Sequence, residues 1–344
     1  MKAVVVYEHG GTDKLKYDQI PDPDVRANDV LVQVKACGMN HLDVWVRKGL
    51  PHLKLKYPHV LGSDVSGVVA KVGEDVRGIE IGAPVLVSPG VTCGRCVYCL
   101  SGRDNLCREY AILGENCPGG CAEYISVPKE NIIPMPKNIS FEEGASIPLV
   151  FLTAWHMLVS RAEIKMGETV LVHAAGSGVG SAAIQIAKLF GATVITTAGT
   201  DEKLEKAKTL LGADYGINYS DHDFFAEVRR ITGKRGVDII IDHTGEINWE
   251  RNILALTTGG RMVVCGSTSG YDGKTDIRHV FFRRLSILGS TMGSKGDLFE
   301  VIKHIESGRL KPVIYKILPM SRVAEGHRLM ENREVFGKVV LVPS

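Results

Sequence analysis

The sequence of 344 residues lacks strong charge of either sign and lacks long apolar runs. Its formal net charge is +2 at pH 7, and no block of lysine and arginine exceeds three residues, which argues against a nucleic-acid-binding surface. No apolar run reaches the roughly 18 residues of a membrane-spanning helix. The N-terminal segment is too short in apolar residues for a signal peptide. We therefore expect a cytoplasmic protein that binds neither nucleic acid nor membrane.

The composition and length predict two domains. Hydrophobic residues make up 44% of the chain, enough for sizeable cores. Residues 1–140 are rich in short β-branched runs separated by Pro, Gly and Asp, which is typical of strands. These predicted strands are Val4–Tyr7, Val30–Ala36, Val65–Val72 and Val85–Ser88.

From residue 141 to 288 the pattern changes to strands that alternate with helices, which predicts a doubly wound parallel α/β sheet. The predicted strands are Thr169–His173, Thr193–Thr197, Tyr215–Asn218, Val237–Ile241, Arg261–Cys265 and Ser286–Leu288. The predicted helices are Gly178–Phe190, Glu202–Leu211, Asp221–Thr232 and Trp249–Leu256. The remaining segment has helices at Leu298–Ser307 and Ser321–Asn332 and an apolar strand at Lys338–Val342 that needs a partner. We therefore predict one domain from residues 1–150 and 289–344, and a second from residues 151–288.

A glycine-rich turn follows the first strand of the alternating region. The segment 170–180 reads VLVHAAGSGVG, with small residues between a buried strand and a helix. Amides at such a helix start bind a pyrophosphate, and missing side chains let it approach. The strict G-x-G-x-x-G pattern fails, because Ala175 and Ser177 replace two glycines. We expect a dinucleotide here, contacted by Ser177, Gly178, Val179 and Gly180.

The end of the second strand indicates which dinucleotide binds. An acid at this position would bind the ribose 2′-hydroxyl, and here the position is Ala198. Lys203 lies in the first turn of the next helix, close enough to reach a 2′-phosphate, and Thr200 precedes that helix. This pattern favours NADPH over NADH. In the alternative interpretation, Lys203 is a solvated helix lysine and Asp201 is an N-cap.

Four of the eight cysteines are closely spaced. Cys93, Cys96, Cys99 and Cys107 form the pattern C-x2-C-x2-C-x7-C, which suits a tetrahedral structural Zn²⁺ site with no open position. The pair Cys117 and Cys121 has a metal or redox role as one interpretation and is a pair of ordinary thiols as the other.

Several motifs resemble the medium-chain dehydrogenase/reductase superfamily from end to end. They are the segments 37–49, 58–64, 122–124, 153–155 and 337–340, the four-cysteine lobe at residues 93–107 and the dinucleotide turn. The resemblance implies a GroES-like β-rich catalytic domain, a Rossmann domain and a C-terminal return to the first. It also implies that Thr153, Tyr219, Gly266 and Ser290 lie near the cofactor.

The resemblance also shows what this chain lacks. Zinc alcohol dehydrogenases hold a catalytic zinc with a Cys, a His and a further Cys or acid. The corresponding positions here are Asn40, Ser63 beside Asp64, and Leu149, so this site is expected to be lost while the structural zinc is kept. An unorthodox second metal site formed by His41, Asp43, His59 and Asp64 is the alternative.

Reduction of an activated C=C bond or quinone does not require a Lewis acid, whereas alcohol deprotonation is difficult without one. The sequence therefore favours an NADPH-dependent reductase of a quinone, enone or enoyl thioester. Asn40 is the first candidate for orienting the substrate, followed by Asp43 and His41. The alternatives are an alcohol dehydrogenase and a cofactor-binding protein with little turnover. The resemblance implies a homodimer or homotetramer.

Overall fold

The structure is a computed structural model that describes residues 1–50 and 53–344. Its strands are β1 (Lys2–Val6), β2 (Lys16–Gln19), β3 (Asp29–Gly38), β4 (His59–Val60), β5 (Asp64–Val72), β6 (Pro84–Val87), β7 (Gly90–Val91), β8 (Ala111–Ile112), β9 (Tyr124–Pro128), β10 (Ile132–Pro134), β11 (Thr169–Val172), β12 (Thr193–Ala198), β13 (Tyr215–Asn218), β14 (Val237–Asp242), β15 (Leu256–Val264), β16 (Ser286–Gly289), β17 (Ile314–Pro319) and β18 (Lys338–Val342).

The α-helices are α1 (His41–Lys48), α2 (Val97–Leu100), α3 (Phe141–Gly144), α4 (Pro148–Trp155), α5 (Gly178–Leu189), α6 (Asp201–Leu211), α7 (Phe224–Ile231), α8 (Glu246–Ala255), α9 (Ile277–Phe282), α10 (Lys295–Glu306) and α11 (Val323–Glu331). A π-helical turn, His156–Arg161, continues α4. Short 3₁₀ turns occur at Thr12–Lys14, Asp104–Leu106, Lys129–Asn131 and Met320–Arg322. Among the described residues, no helix is long and apolar enough to cross a membrane.

The chain forms two compact units. The first contains Met1–Leu149, Ser294–Ser307 and Lys311–Ser344, and the second contains Val150–Gly293 with Gly308–Leu310. The return to the first unit begins at Ser294. Ser290 N, directly after β16, donates to Val264 O at the end of β15 at 2.9 Å.

The first unit is built on a mixed sheet with the strand order β10-β6-β5-β3-β18-β17, and β9 also pairs with β3. The terminal strand β18 runs antiparallel to β3, with Val340 opposite Gly38, and parallel to β17. The predicted need for a partner is therefore met inside this unit. A core of valine, leucine and isoleucine side chains fills the space behind the sheet.

The second unit contains a six-stranded parallel sheet with the order β13-β12-β11-β14-β15-β16. This order has its switch point between β11 and β14, where ligands of doubly wound sheets bind. The central strands β11 and β14 are apolar along most of their length because helices cover both faces of such a sheet. The α/β class and the doubly wound sheet are as predicted.

Some predicted element ends were wrong for local reasons. Helix α7 begins at Phe224 rather than at residue 221, because the Asp223 carboxylate caps it by accepting from Phe225 N at 2.9 Å. Helix α8 begins at Glu246, three residues before the predicted start, directly after Gly245 at φ 83°.

Candidate functional site: a dinucleotide turn and a buried lysine cluster

The glycine-rich turn of the second unit connects β11 to α5. Ser177 is the N-cap of α5, and its Oγ accepts a hydrogen bond from Gly180 N at 2.8 Å. A Cβ atom on Gly180 would lie 2.3 Å from the carbonyl oxygen of Ala174, so only glycine fits this position. The amides of Gly178 and Val179 open the helix and have no acceptor within it. The turn therefore presents backbone donors of the kind that bind a pyrophosphate.

The carboxyl ends of β12 and β13 bring the next predicted residues together. Thr200 caps α6 by accepting from Lys203 N at 3.3 Å. Tyr219 N donates to Ala198 O at 3.1 Å, and the half-exposed Tyr219 ring lies over Gly199, whose Cβ would meet the phenol oxygen at 2.9 Å. Asn218 Nδ2 donates to Asp201 Oδ1 at 3.1 Å. The Asp201 carboxylate is therefore already hydrogen-bonded to a side-chain amide of the same unit.

The ends of β14, β15 and β16 lie along the same edge of the sheet. Gly266 follows β15, and Ser290, which is buried, follows β16; among the described residues its hydroxyl has no hydrogen-bond partner. His243 follows β14, and its Nε2 lies 2.9 Å from Ser177 Oγ. Thr153 is buried in α4. Sequence reasoning missed His243, because no motif in the chain links it to the glycine-rich turn.

A network of buried hydrogen bonds links the strands at this edge of the sheet. His173 Nε2 lies 2.7 Å from Asn252 Oδ1, and Asn252 Nδ2 donates to Asp242 Oδ2 at 3.1 Å. Burial lowers the pKa of His173, so the imidazole is neutral near pH 7. Its other nitrogen lies 3.2 Å from Thr197 Oγ1. The network ties β11, β12 and β14 together where their carboxyl ends meet.

In the first unit, Asn40 and Asp43 form a capping box at the start of α1. Asn40 N donates to Asp43 Oδ2 at 2.7 Å, and Gly62 N donates to Asp43 Oδ1 at 3.0 Å. Burial raises the pKa of Asp43 to about 6, although these amides and Lys338 act in the opposite direction. Both carboxylate oxygens thus serve backbone amides, and Asp43 fixes the loop that carries Asn40.

Asn40 belongs to a buried cluster with Asp64 and Lys338. The Lys338 ammonium donates to Asn40 Oδ1 at 2.6 Å and to Asp64 Oδ2 at 2.8 Å. Asn40 Nδ2 donates to Asp64 Oδ2 at 3.0 Å, and Leu149 N donates to Asp64 Oδ1 at 2.6 Å. The ends of β3, β5, α4 and β18 thus meet at one ion pair. Lys338 lies within a motif seen in the sequence, but its role in this cluster was missed.

The two histidines of this region, His41 and His59, contact other residues than those of that cluster. His41 packs edge-on against Trp45 at 5.2 Å between ring centroids, and burial lowers the pKa of its imidazole. His59 Nε2 lies 3.0 Å from the carbonyl oxygen of Gly114, and burial lowers the pKa of this ring as well. The Ser63 hydroxyl donates to Leu113 O at 2.7 Å. Of the four groups considered for a second metal, the structure joins only Asp43 and Asp64 to the Asn40 loop through hydrogen bonds.

The four cysteines of the lobe converge. The sulfur atoms of Cys93, Cys96, Cys99 and Cys107 all lie within 4.8 Å of one another. Backbone amides of residues 95 and 96 lower the pKa of Cys93 to about 6, which favours the thiolate that a metal needs. Burial raises the pKa of Cys99 to about 11, and a bound cation would reverse that shift. Four sulfur donors in this arrangement fit a tetrahedral Zn²⁺.

The other thiols of this unit are bonded elsewhere. Cys117 Sγ contacts Ile112 O at 3.6 Å, and Cys121 Sγ lies 3.2 Å from Cys37 Sγ in the core. The lobe itself is anchored by Asp104, which accepts from Lys295 N at 2.9 Å and pairs with its ammonium at 3.2 Å.

Comparisons with known proteins agree with this arrangement. Residues 26–137 match the family model described as the alcohol dehydrogenase GroES-like domain, and residues 178–307 match the model described as zinc-binding dehydrogenase. An NAD-dependent alcohol dehydrogenase of Sulfurisphaera tokodaii is 33% identical over 100% of both chains. The chain belongs to the medium-chain dehydrogenase/reductase superfamily.

Other members of the superfamily are named for different activities. The quinone oxidoreductase of Homo sapiens is 31% identical to this dehydrogenase/reductase over 99% of this chain and 98% of its own. A crystal structure of an NAD-dependent alcohol dehydrogenase is 53% identical, covers 100% of both chains and superposes with a TM-score of 0.96. The protein is therefore an NAD(P)-dependent oxidoreductase.

Proposed function

We propose that this protein is an NADPH-dependent reductase of a quinone, enone or enoyl thioester that works without a catalytic zinc ion. The observation that carries the proposal is the ion pair of Lys338 with Asp64 beside Asn40. At the positions where relatives with catalytic zinc supply ligands, this chain has an asparagine whose oxygen accepts from an ammonium, a serine whose hydroxyl donates to a carbonyl, and a leucine. In this proposal, the Lys338 ammonium supplies the positive charge that a catalytic metal ion would otherwise provide.

The preference for NADPH rests on the end of β12. Ala198 offers no acceptor side chain to a ribose 2′-hydroxyl, and the neighbouring Asp201 is engaged by Asn218. Lys203 lies in the first turn of α6, where the helix N-terminus also favours an anion. Tyr219 supplies a ring beside Gly199 on which an adenine can stack. These groups suit a 2′-phosphate better than a bare diol.

When bound, the nicotinamide supplies the hydride, so the protein's task is to hold the two reactants and stabilise the negative charge that develops on the substrate oxygen. The donors of the glycine-rich turn hold the pyrophosphate. Ser290 follows β16, and its hydroxyl has no hydrogen-bond partner among the described residues; with Gly266 after β15, it would lie beside the nicotinamide.

The test is the initial rate of cofactor oxidation with a panel of quinones, enones and enoyl thioesters, run with NADPH and with NADH. We expect turnover of one or more of these classes with a higher kcat/KM for NADPH. Reduction of NAD⁺ or NADP⁺ by plain alcohols, with no reduction of the panel, would instead favour the alcohol dehydrogenase that two of the relatives are named for. Tight cofactor binding with no turnover would favour a binding protein.

The cysteine lobe is proposed to hold one structural Zn²⁺ per chain through Cys93, Cys96, Cys99 and Cys107. The ion would close a loop that has little core of its own, so it should contribute to folding rather than to chemistry. Reduced thiolates of this kind suit a reducing compartment such as the cytoplasm.

We also propose that the protein pairs with a second copy of itself, as a dimer or as part of a tetramer. Strand β16 is the edge of the six-stranded sheet and is largely exposed. Beside it in the sequence, α9 exposes Phe281 and Phe282 at 58% and 71%. An exposed edge strand with apolar neighbours suits edge-to-edge pairing. Light scattering should give at least twice the chain mass, and Phe281→Asp should lower it; a monomeric wild type would contradict this.

A further inference from the structure

The hydrogen-bonding capacity of the Asn40 cluster is almost fully used. The Asn40 amide has two N–H bonds, and these are directed to Asp64 Oδ2 at 3.0 Å and to Gly38 O at 3.4 Å. Its oxygen accepts from Lys338. Asp43 and Asp64 accept backbone amides or the cluster's own donors at every oxygen. No donor on Asn40 is left for a substrate oxygen.

Lys338 is different, because an ammonium has three N–H bonds. Two of them are directed to Asn40 Oδ1 and Asp64 Oδ2, and within the described residues no third acceptor is bonded to this group. The Lys338 side chain is 4% exposed, whereas the Asp64 side chain is fully buried. Lys338 is also the one lysine among the described residues that is buried. The cluster therefore holds a single uncommitted strong donor.

The residues that contact the Lys338 ammonium hold it in a fixed position. Asp64 is fixed by Leu149 N at 2.6 Å, and Asn40 is fixed by the capping box, so both acceptors of the ammonium are themselves held. A donor that is already oriented costs no reorganisation when charge develops next to it, which is what makes such groups effective in catalysis. A buried ion pair is weak support for stability alone, since an apolar replacement is often equally stable.

We propose that Lys338 is the group that stabilises the substrate oxygen, with Asn40 and Asp64 as the residues that position it. This inference rests on the proposed function, the reduction of an enone-type substrate without catalytic zinc, and adds that the substrate carbonyl lies at the Asn40 cluster. Reduced nicotinamide, when bound, would supply the hydride that forms the new C–H bond at the substrate β-carbon. The C=C electron pair moves to form the enolate, and water then protonates the α-carbon. Lys338 donates a hydrogen bond to the enolate oxygen and keeps its proton.

The test compares Lys338→Met with the double variant Lys338→Met/Asp64→Leu, which leaves no unpaired buried carboxylate. The matched control is Lys316→Met on the neighbouring strand β17, which removes a lysine whose partner is Glu325 at the surface. We expect kcat to fall about 100-fold or more in both Lys338 variants, the range found for loss of one oxyanion donor. The NADPH Kd should change less than about threefold, and Lys316→Met should behave as wild type.

A second readout separates catalysis from structure. Ethylammonium added to Lys338→Ala should restore part of kcat in proportion to its concentration, and it should have no effect on Lys316→Ala. A folded double variant with kcat within threefold of wild type would overturn the proposal, as would a loss of kcat that ethylammonium does not restore in a folded Lys338→Ala.

If these variants fail to fold, wild-type protein labelled with ¹⁵N-lysine decides the matter. Its buried ammonium signal should shift when NADP⁺ and 4-nitrophenolate, an oxyanion probe, are added together, and an unchanged signal would overturn the proposal. Failure of the proposed function is distinguished because the panel is measured on wild type first. A protein that oxidises alcohols only would refute the reductase, while the Lys338 variants could still be tested on the alcohol oxygen.

Discussion

The hydroxyl oxygen of Ser177 lies 2.9 Å from Nε2 of His243 while it caps the helix that follows the glycine-rich turn. This contact joins the carboxyl ends of β11 and β14 on either side of the switch point of the sheet. The serine therefore has two partners in the protein, and both lie where a pyrophosphate is expected.

Ser177→Ala should weaken both stability and cofactor binding. Loss of an N-cap costs about 1 kcal/mol of unfolding free energy, and the loosened turn should raise the NADPH Kd several-fold. Urea unfolding and fluorescence titration measure the two effects. Ser294→Ala is the matched control, because Ser294 caps α10 in the first unit by accepting from Asp297 N at 3.1 Å. Equal changes in NADPH Kd for the two variants would contradict the assignment.

Lys203→Ala should reduce the preference for NADPH. Loss of one charge-assisted hydrogen bond, worth roughly 1.5 kcal/mol, should lower kcat/KM for NADPH about tenfold and leave that for NADH nearly unchanged. Lys206→Ala serves as the control, since Lys206 lies on the same helix and pairs with Glu202 at 2.6 Å. If NADH is the better cofactor of the wild type, or if Lys203→Ala affects both cofactors equally, the 2′-phosphate interpretation is wrong.

Cys93→Ser should abolish zinc binding in the cysteine lobe. Metal analysis of protein purified without chelator should give one zinc per wild-type chain and none for the variant, with a lower thermal midpoint because metal binding contributes to folding. Cys117→Ser should keep the zinc, since that thiol contacts the carbonyl of Ile112. Wild-type protein that contains no zinc would refute the site.

His327 should make the protein sensitive to acid. It is fully buried in α11 with no hydrogen-bond partner among the described residues, and burial lowers its pKa to about 3. Between its unfolded pKa of 6.5 and pH 3, only the unfolded state binds the proton, so this group lowers the free energy of unfolding as the pH falls. Above pH 6.5 it has no such effect.

His327→Met should therefore flatten the decline in stability from pH 6.5 to pH 4, measured by urea unfolding at several pH values. His222→Gln, at an exposed position, is the control and should leave the decline as in the wild type. An unchanged pH dependence in His327→Met would show that other groups govern the acid sensitivity.

The parts of the fold that depend on local pattern could be predicted from the sequence. The bounds of Tyr215–Asn218 and Lys338–Val342 agree with the structure to the residue. The second of these is a run of apolar, mostly β-branched residues after one lysine, which is a strong local signal for a strand. Strand β17 (Ile314–Pro319) was not predicted, since half of its residues are exposed and its pairing with β18 is not visible in its own sequence.

The candidate site was predictable only in part for the same reason. Asn40 and the four cysteines stand out by position and spacing, and both groups lie within short segments. Lys338 bonds to residues 298 and 274 positions away, so the chain itself does not show that its ammonium meets Asn40 and Asp64. Likewise, His243 reaches Ser177 across 66 positions through the parallel pairing of β11 and β14.

The most direct test of the account measures zinc content and activity on the same wild-type preparation. Zinc per chain is determined before and after brief treatment with 1,10-phenanthroline, and the rate of NADPH oxidation with the best enone or quinone is followed throughout. We expect one zinc per chain and a reductase rate that the chelator does not inhibit while the protein stays folded. Two zinc ions per chain, with activity lost as one of them is removed, would contradict it.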